Sequence, residues 1–253
     1  MRITFLGTGT SQGVPVIACD CEVCLSGNPK DNRLRCSVLI EDGNTSFAID
    51  AGPDFRQQML RAGVKQLNAV VFTHEHKDHI AGLDDVRAFN YFSKKPMDVY
   101  ASDIVQQALK REYHYVFDGS NYPGKPELTL HTITNKQFSI GTLSITPVEV
   151  LHYKMPVLGF RVGDFCYITD ANFISEQERQ KIRGCKYLVI NALRIEKHIS
   201  HFNLSEAIEV INDLQPEQAF ITHISHQMGL HDTINRQLPP NIALAYDGLI
   251  IAI

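Results

Sequence analysis

Two packed β-sheets with helices on the outside are predicted by three observations. Short apolar, β-branched runs recur along the whole 253-residue chain. Helix-like segments punctuate those runs in both halves. No low-complexity linker and no short-period repeat divides the chain. With 44% hydrophobic residues, the chain can bury one large core or two small ones, and the expectation is one domain over residues 1–253.

The elements follow in order. RITFLG (2–7) ends in glycine and suits a first strand. GTGTSQGVP (7–15) is a tight loop that lacks the Gly-Lys-Ser/Thr of a phosphate-binding loop. SVLIED (37–42) and TSFAID (45–50) read as strands around Asp42-Gly43-Asn44. PDFRQQMLRAG (53–63) is a helix stopped by Gly63. NAVVFT (68–73) is a short buried strand, and HEHKDHIAGLDDVRAF (74–89) starts as a loop that becomes helical near Asp78. DVYAS (98–102) is a strand and IVQQALKREYHY (104–115) a helix. Residues 115–128 form the longest loop-like segment. In the second half LTLHTI, FSI, LSITPVEV, LGFRVG and FCYITD are strands, and SEQERQKIRG (175–184) is a polar helix. KYLVINAL is a strand, LSEAIEVINDL (204–214) a helix capped by Asn203 or Ser205, and QAFITHI a strand. IALAYDGLIIAI (242–253) gives two strands around Asp247-Gly248.

The charge balance narrows the classes of function. A net charge of −4 and a pI of about 6.2 give no electrostatic grip on a nucleic-acid backbone. No apolar run has the length of a membrane span. The opening MRITFLGTGT lacks the charged head, apolar run and cleavage site of a signal peptide, so a cytoplasmic location is expected. In that compartment six cysteines point to metal rather than to disulfides. Cys36, Cys166 and Cys185 lie in strand-like or helix-end contexts and read as small buried residues.

Two motifs carry chemistry. THEHKDH (73–79) follows a strand and sets His74, His76, Asp78 and His79 within six residues. His74 and His76, two apart, face one side of an extended chain. Asp78 and His79 come where the chain turns, so one short segment can serve two neighbouring ions. Imidazole and carboxylate suit Zn, Mn and Fe alike. CDCEVC (19–24) sets three thiols, Cys19, Cys21 and Cys24, together, and a closed zinc site needs a fourth ligand. His226, three residues after His223, requires a turn between the two. It is then free to complete a separate Cys₃His site that staples the first loop to the end of a late strand.

HEHKDH resembles the HxHxDH motif of the metallo-β-lactamase superfamily. Other pieces fall in that family's order: FAIDAG with Asp50, VLHYK with His152, YITDAN with Asp170 and ITHISH with His223. The resemblance covers nearly the whole chain and implies an α/β fold, the four-layer αββα sandwich. It assigns His74, His76 and His152 to a first metal and Asp78, His79 and His223 to a second. Asp170 bridges them, and Asp50 orients the metal loop. Such a pair of cations holds a hydroxide and clamps the oxygens of the reacting group. The CxCxxC start with the later HxxH is similar to the PhnP-type phosphodiesterases of bacterial phosphonate breakdown. That similarity implies one structural zinc, two active-site divalent metals and a homodimer.

The resemblance also implies the reaction. KHISHFNLSEA (197–207) offers His201 as general acid for a leaving oxygen, with His198 a solvated neighbour. Arg87, in LDDVRAFNYF, reads equally as a contact for substrate phosphate and as a plain surface arginine. No glycine-rich basic arm of the tRNA-processing kind is present. The expected activity is therefore a metal-dependent phosphodiesterase acting on a small phosphodiester or cyclic phosphate, with metal-bound hydroxide as nucleophile. No membrane and no long nucleic acid is expected as a partner. Three rivals stand: a thioester, lactam or lactone hydrolase that needs no His201, an RNA-processing nuclease, and a protein like the B proteins of quinone-cofactor synthesis, which share the cysteine-bearing start. His114, His131, His198 and His231 receive no role.

Overall fold

The computed structural model describes residues 1–119 and 122–253. The first half runs β1 (Arg2–Gly7), β2 (Ser37–Asp42), β3 (Thr45–Ile49), α1 (Phe55–Arg61), β4 (Ala69–Val71), α2 (Lys77–Ile80), α3 (Arg87–Ser93), β5 (Met97–Ala101), α4 (Asp103–Glu112), α5 (His114–Phe117) and β6 (Leu128–Thr132). The second half runs β7 (Phe138–Ile140), β8 (Leu143–His152), β9 (Met155–Val162), β10 (Phe165–Tyr167), α6 (Glu176–Ile182), β11 (Tyr187–Asn191), α7 (Leu204–Leu214), β12 (Gln218–Thr222), α8 (His231–Asn235), β13 (Ile242–Leu244) and β14 (Ile250–Ala252).

The strands form two mixed sheets of seven, ordered β14-β1-β2-β3-β4-β5-β6 and β13-β12-β11-β10-β9-β8-β7. In each sheet an antiparallel part gives way to a parallel one: β3 to β6 in the first and β10 to β13 in the second. Alternation explains the layers. Val38, Ile40, Phe47 and Ile49 point between the sheets, against Phe160, Phe165 and Tyr167. Leu39, Ala48 and Val70 point outward, under Phe55 and Met59 of α1 and Val105 and Leu109 of α4. On the far side Leu188, Ile190 and Ile221 meet Ile182 of α6 and Val210 and Ile211 of α7. Strands covered on both faces read as continuous apolar runs, and the result is the αββα sandwich. Phe160 is fully buried, and truncating such a side chain to alanine costs about 3–5 kcal/mol.

Three expectations need correction. LTLHTI, grouped with the second half, becomes β6 and closes the first sheet beside β5. The two strands of IALAYDGLIIAI separate: β13 joins β12, while β14 crosses to pair with β1, Arg2 against Ala252. Asp247 makes this crossing possible, because its carboxylate accepts from Thr8 N and Oγ1 and from Leu34 N at 2.8–2.9 Å. Thirdly, the loop-like segment 115–128 begins inside a helical turn, α5; its residues 120 and 121 lie outside the described residues.

The layering decides where side chains can converge. Parallel strands within each sheet end at one edge, and loops leaving those ends carry the chemistry-bearing residues. Asp50 follows β3, His74 to His79 follow β4, Asp170 follows β10 and His223 follows β12. The edges are stitched together by Thr10 N on Ile224 O (3.1 Å) and Leu158 N on Thr73 O (3.1 Å).

Candidate metal centre

Asp50 anchors the centre from below. It is wholly buried, and its backbone is left-handed, with φ of 66°. Its carboxylate accepts from Thr73 N (2.9 Å), Thr73 Oγ1 (2.9 Å) and His79 Nδ1 (2.7 Å). Thr73 Oγ1, having given its proton to Asp50, accepts one from His74 Nδ1 at 2.9 Å. His152 Nδ1 donates to Ser200 O at 2.8 Å. Each bond places the ring proton on Nδ1 and leaves the Nε2 lone pair free to face a cation.

The Nε2 atoms of His79 and His223 meet at Asp170. His79 Nε2 lies 3.2 Å from Asp170 Oδ2 and 3.1 Å from Asp78 Oδ2. His223 Nε2 lies 3.1 Å from Asp170 Oδ1 and 3.7 Å from Asp78 Oδ2. These four residues bring ligand atoms within 4.8 Å of one another. On the other side His74 packs on His76 at 4.6 Å between ring centroids, and His76 on His152 at 5.1 Å. Asp170, again at positive φ (55°), is steadied by Thr169 Oγ1 (2.7 Å). The turn after it is held by Asn191, which bonds both Ala171 N and Ala171 O.

The electrostatics fit cations. The buried nitrogens His74 Nε2, His79 Nε2 and His223 Nε2 make no well-formed hydrogen bond. Unpaired buried polar atoms are costly unless something else satisfies them. Burial opposes ionisation of Asp78 and Asp170, but the facing histidines outweigh it and hold both carboxyls well below their ordinary range. Burial and the charge on His79 push His74 far below the usual histidine value. The carboxylates raise His79 and His223 against the effect of their burial. Without an ion this set balances only by carrying charged rings; divalent cations would supply that positive charge with all the rings neutral.

His201 enters the same cluster. It is buried, its Nδ1 stands 3.8 Å from Asp170 Oδ1, and its ring packs on His152 at 4.5 Å and His223 at 4.7 Å. With His152 and Asp170 it forms a further group of ligand distance, a proximity that its position before the helix did not announce. Burial, with the neighbouring His223, lowers it to about 2. The cap of α7 is Asn203 in a reciprocal capping box with Glu206, which fixes the loop carrying His201.

The three thiols and His226 come together. Sulfurs of Cys19, Cys21 and Cys24 lie 3.2, 3.3 and 3.6 Å from His226 Nδ1. A tetrahedral zinc with ordinary bond lengths has S···N edges of about 3.6 Å. A hydrogen bond from Cys24 N–H, then His226, draws the Cys21 thiol down to about 6. Burial pushes Cys24 up to about 11. His226 opens a 3₁₀ turn over His226–Met228 after His223 at φ of 56°, so the two histidines serve different places. Cys36, Cys166 and Cys185 are buried.

Arg87 stands elsewhere. It is exposed, pairs with Asp84 at 3.2 Å, and lines a cavity of about 700 Å³ with Tyr91, Phe92 and Lys125 that includes no member of the His/Asp cluster. His131 pairs with Asp98 (2.7 Å), His114 packs on Tyr115 and His198 on His201 at 5.2 Å. His231 is buried and faces Arg33 Nη2 at 3.0 Å. Among the described residues no helix is long and apolar enough to cross a membrane.

Fold and cluster together define a divalent-metal hydrolase of the metallo-β-lactamase type. The family model for the Beta-lactamase superfamily domain matches residues 45–224, and the chain belongs to that family. An octanoyltransferase of Porphyromonas gingivalis is 39% identical over 252 residues, 98% of this chain; the chain spans 51% of that protein's length. A diphosphatase from the PhnP family has a crystal structure similar to this one with a TM-score of 0.93 and 36% identity, over 100% of this chain and 97% of that one. Zn²⁺-bound PqqB from Methylobacterium extorquens shares the fold at 19% identity and a TM-score of 0.83, over the whole of both chains.

Proposed function

We propose that the chain is a metal-dependent phosphodiesterase acting on a small substrate with a phosphodiester, cyclic phosphate or disubstituted diphosphate link. The observation that carries this is Asp170, which belongs to ligand groups on both of its sides. The likeness to a PhnP-family diphosphatase over the whole chain supports attack at phosphorus. His74, His76 and His152 would hold one cation and Asp78, His79 and His223 a second, with Asp170 shared and Cys19, Cys21, Cys24 and His226 holding a structural zinc. The two active-site ions would supply Lewis acidity and an activated water. The chain's own groups do the rest. Asp50 and Ser200 O fix the ring orientations. Asp170 keeps the two halves of the cluster at a set spacing. His201, held beside Asp170 and His152, is the group placed to bring a proton from solvent to the leaving oxygen. In the same reading the chain works as one catalytic domain in a homodimer in the cytoplasm.

A second reading has one observation in its favour, the P. gingivalis relative named for octanoyl transfer. The same cluster can hydrolyse an acyl thioester, whose thiolate leaves without a proton donor. The deciding experiment uses metal-stripped protein resupplied with Mn²⁺ or Zn²⁺. It compares bis(p-nitrophenyl) phosphate, 2′,3′-cyclic nucleotides and a dinucleoside diphosphate with an octanoyl thioester. Metal-dependent turnover of the phosphorus substrates is expected; thioester turnover alone would replace the first reading with the second.

A further inference from the structure

The hairpin between β8 and β9 pairs His152 with Met155, so its turn has only two residues, Tyr153 and Lys154. Two-residue hairpins follow the twist of their strands when the first central residue has positive φ, a place normally given to glycine or asparagine. Here it is a tyrosine at φ of 58°, a conformation that a bulky side chain adopts only under constraint. The constraint is visible. Tyr153 N–H donates to Asn172 Oδ1 at 2.7 Å, Asn172 N is bound to Leu151 O at 2.8 Å, and Asn172 Nδ2 donates to Ile199 O at 3.3 Å.

The other non-glycine residues at positive φ put this in context. Lys94 and Gln215 are helix C-caps, an ordinary use of that conformation. Ala18 adjoins the cysteine clasp, and Asp50, Asp170 and His223 belong to the His/Asp cluster. Tyr153 is thus a residue whose backbone departs from the norm beside the cluster, with no ligand atom to offer it. What it offers is a ring. Tyr153 is 50% exposed as a residue and lines an open cavity of about 510 Å³ with His76, His152, Lys154 and Met155. Lys154 Nζ sits 5.3 Å from the ring centroid.

We infer that Tyr153 is a stacking platform, and Lys154 an anion contact, of a subsite for a nucleobase carried next to the reacting phosphate. A half-exposed tyrosine with a cation over its ring matches a planar base bearing an anionic ester. A bare sugar phosphate offers the ring no aromatic face, only a smaller C–H contact. The inference rests on the phosphodiesterase reading for the position of the phosphate.

The test is calorimetric binding of AMP and of ribose 5-phosphate to the metal-loaded protein, beside turnover of 2′,3′-cyclic AMP and of bis(p-nitrophenyl) phosphate. Tyr153→Gly suits the turn and removes the ring; Tyr153→Phe keeps the ring. Wild type should prefer AMP by about tenfold, and Tyr153→Gly should shrink the preference to about twofold while Tyr153→Phe retains it. Lys154→Ala should weaken both ligands by the same factor. An AMP preference that survives Tyr153→Gly, or is absent from wild type, overturns the subsite. So does Tyr153-dependent binding of an octanoyl ligand without any for AMP. A protein that binds AMP through Tyr153 yet hydrolyses no phosphodiester keeps the subsite and sinks the phosphodiesterase reading. One that hydrolyses bis(p-nitrophenyl) phosphate with a Tyr153-independent AMP preference does the reverse.

Discussion

The cysteine clasp takes three of its four donors from six consecutive residues, and only His226 comes from more than 200 residues away. The His/Asp cluster takes its donors from the ends of β4, β8, β10 and β12 and from the loop before α7, on two different sheets. The clasp donors are half-buried, whereas His74, His79, Asp170, His201 and His223 are buried. A loop of three thiols needs one distant partner to close. The cluster needs both sheets in register, Asp50 in its strained backbone and Asn191 behind Asp170. The first is assembled by local chain geometry, the second by the packed core, and their responses to mutation should differ accordingly.

The largest expected effect separates them most sharply. Asp170→Asn removes a carboxylate that serves both sides of the cluster, and turnover should fall about 10³-fold or more, the rate equivalent of several kcal/mol of charge stabilisation. Zinc binding at the clasp, as proposed above, should be unaffected, read by native mass spectrometry. His201→Ala should cost about 10²-fold or more on a substrate with an alkoxide leaving group. It should cost far less when the leaving group is p-nitrophenolate, which needs no proton; equal losses on both would remove the acid role. Asp50→Ala frees the Nδ1 proton of His79 and the hydroxyl of Thr73 from their acceptor. Metal affinity at the cluster should drop about 10- to 100-fold, with zinc at the clasp unchanged by the same assay.

Cys24→Ser tests the opposite side. It should release the clasp zinc and lower the melting temperature, yet leave metal content at the cluster intact; loss of both metals together would show that the two regions are one cooperative unit. The smallest effect concerns acid. His231 lies behind the clasp, where its N–H bonds Asp31 Oδ1 (2.7 Å) and its ring accepts from Arg33. Burial first, then the charges of Arg33 and Lys30, lower it to about 4. The native state therefore binds fewer protons than the unfolded chain between pH 4 and the ordinary histidine value of about 6.5. Stability present above that value is lost as pH falls through the folded value near 4. His231→Gln should flatten the denaturation midpoint's slope against pH in that window.

How much of this was legible follows from the same contrast. THEHKDH and CDCEVC were readable because their ligands are neighbours in the chain, and spacing alone sets which side each faces. Most strands were readable because both faces are covered and the runs are uniformly apolar. The departure of β14 from β13 was not, since two short apolar strands around Asp-Gly look like a hairpin until Asp247 is seen bonded to Thr8 and Leu34. Arg87 shows the limit in the other direction. It read equally as a phosphate contact or a plain surface arginine, and α3 carries it to a cavity of its own beside Asp84. Tyr153 gave no signal at all, because a left-handed backbone is not a property of residue type.

The sequence by itself determined the two ligand-rich segments, the strands that would be buried and a helix cap at Asn203 or Ser205, all of which depend on residues close together in the chain. Tertiary structure decided that His201 joins Asp170, that Ser200 and Thr73 orient the rings, that the last strand completes the first sheet, and that a tyrosine stands at the mouth. Those depend on which strand ends meet, and strand ends meet only once two sheets have packed face to face and fixed every loop between them.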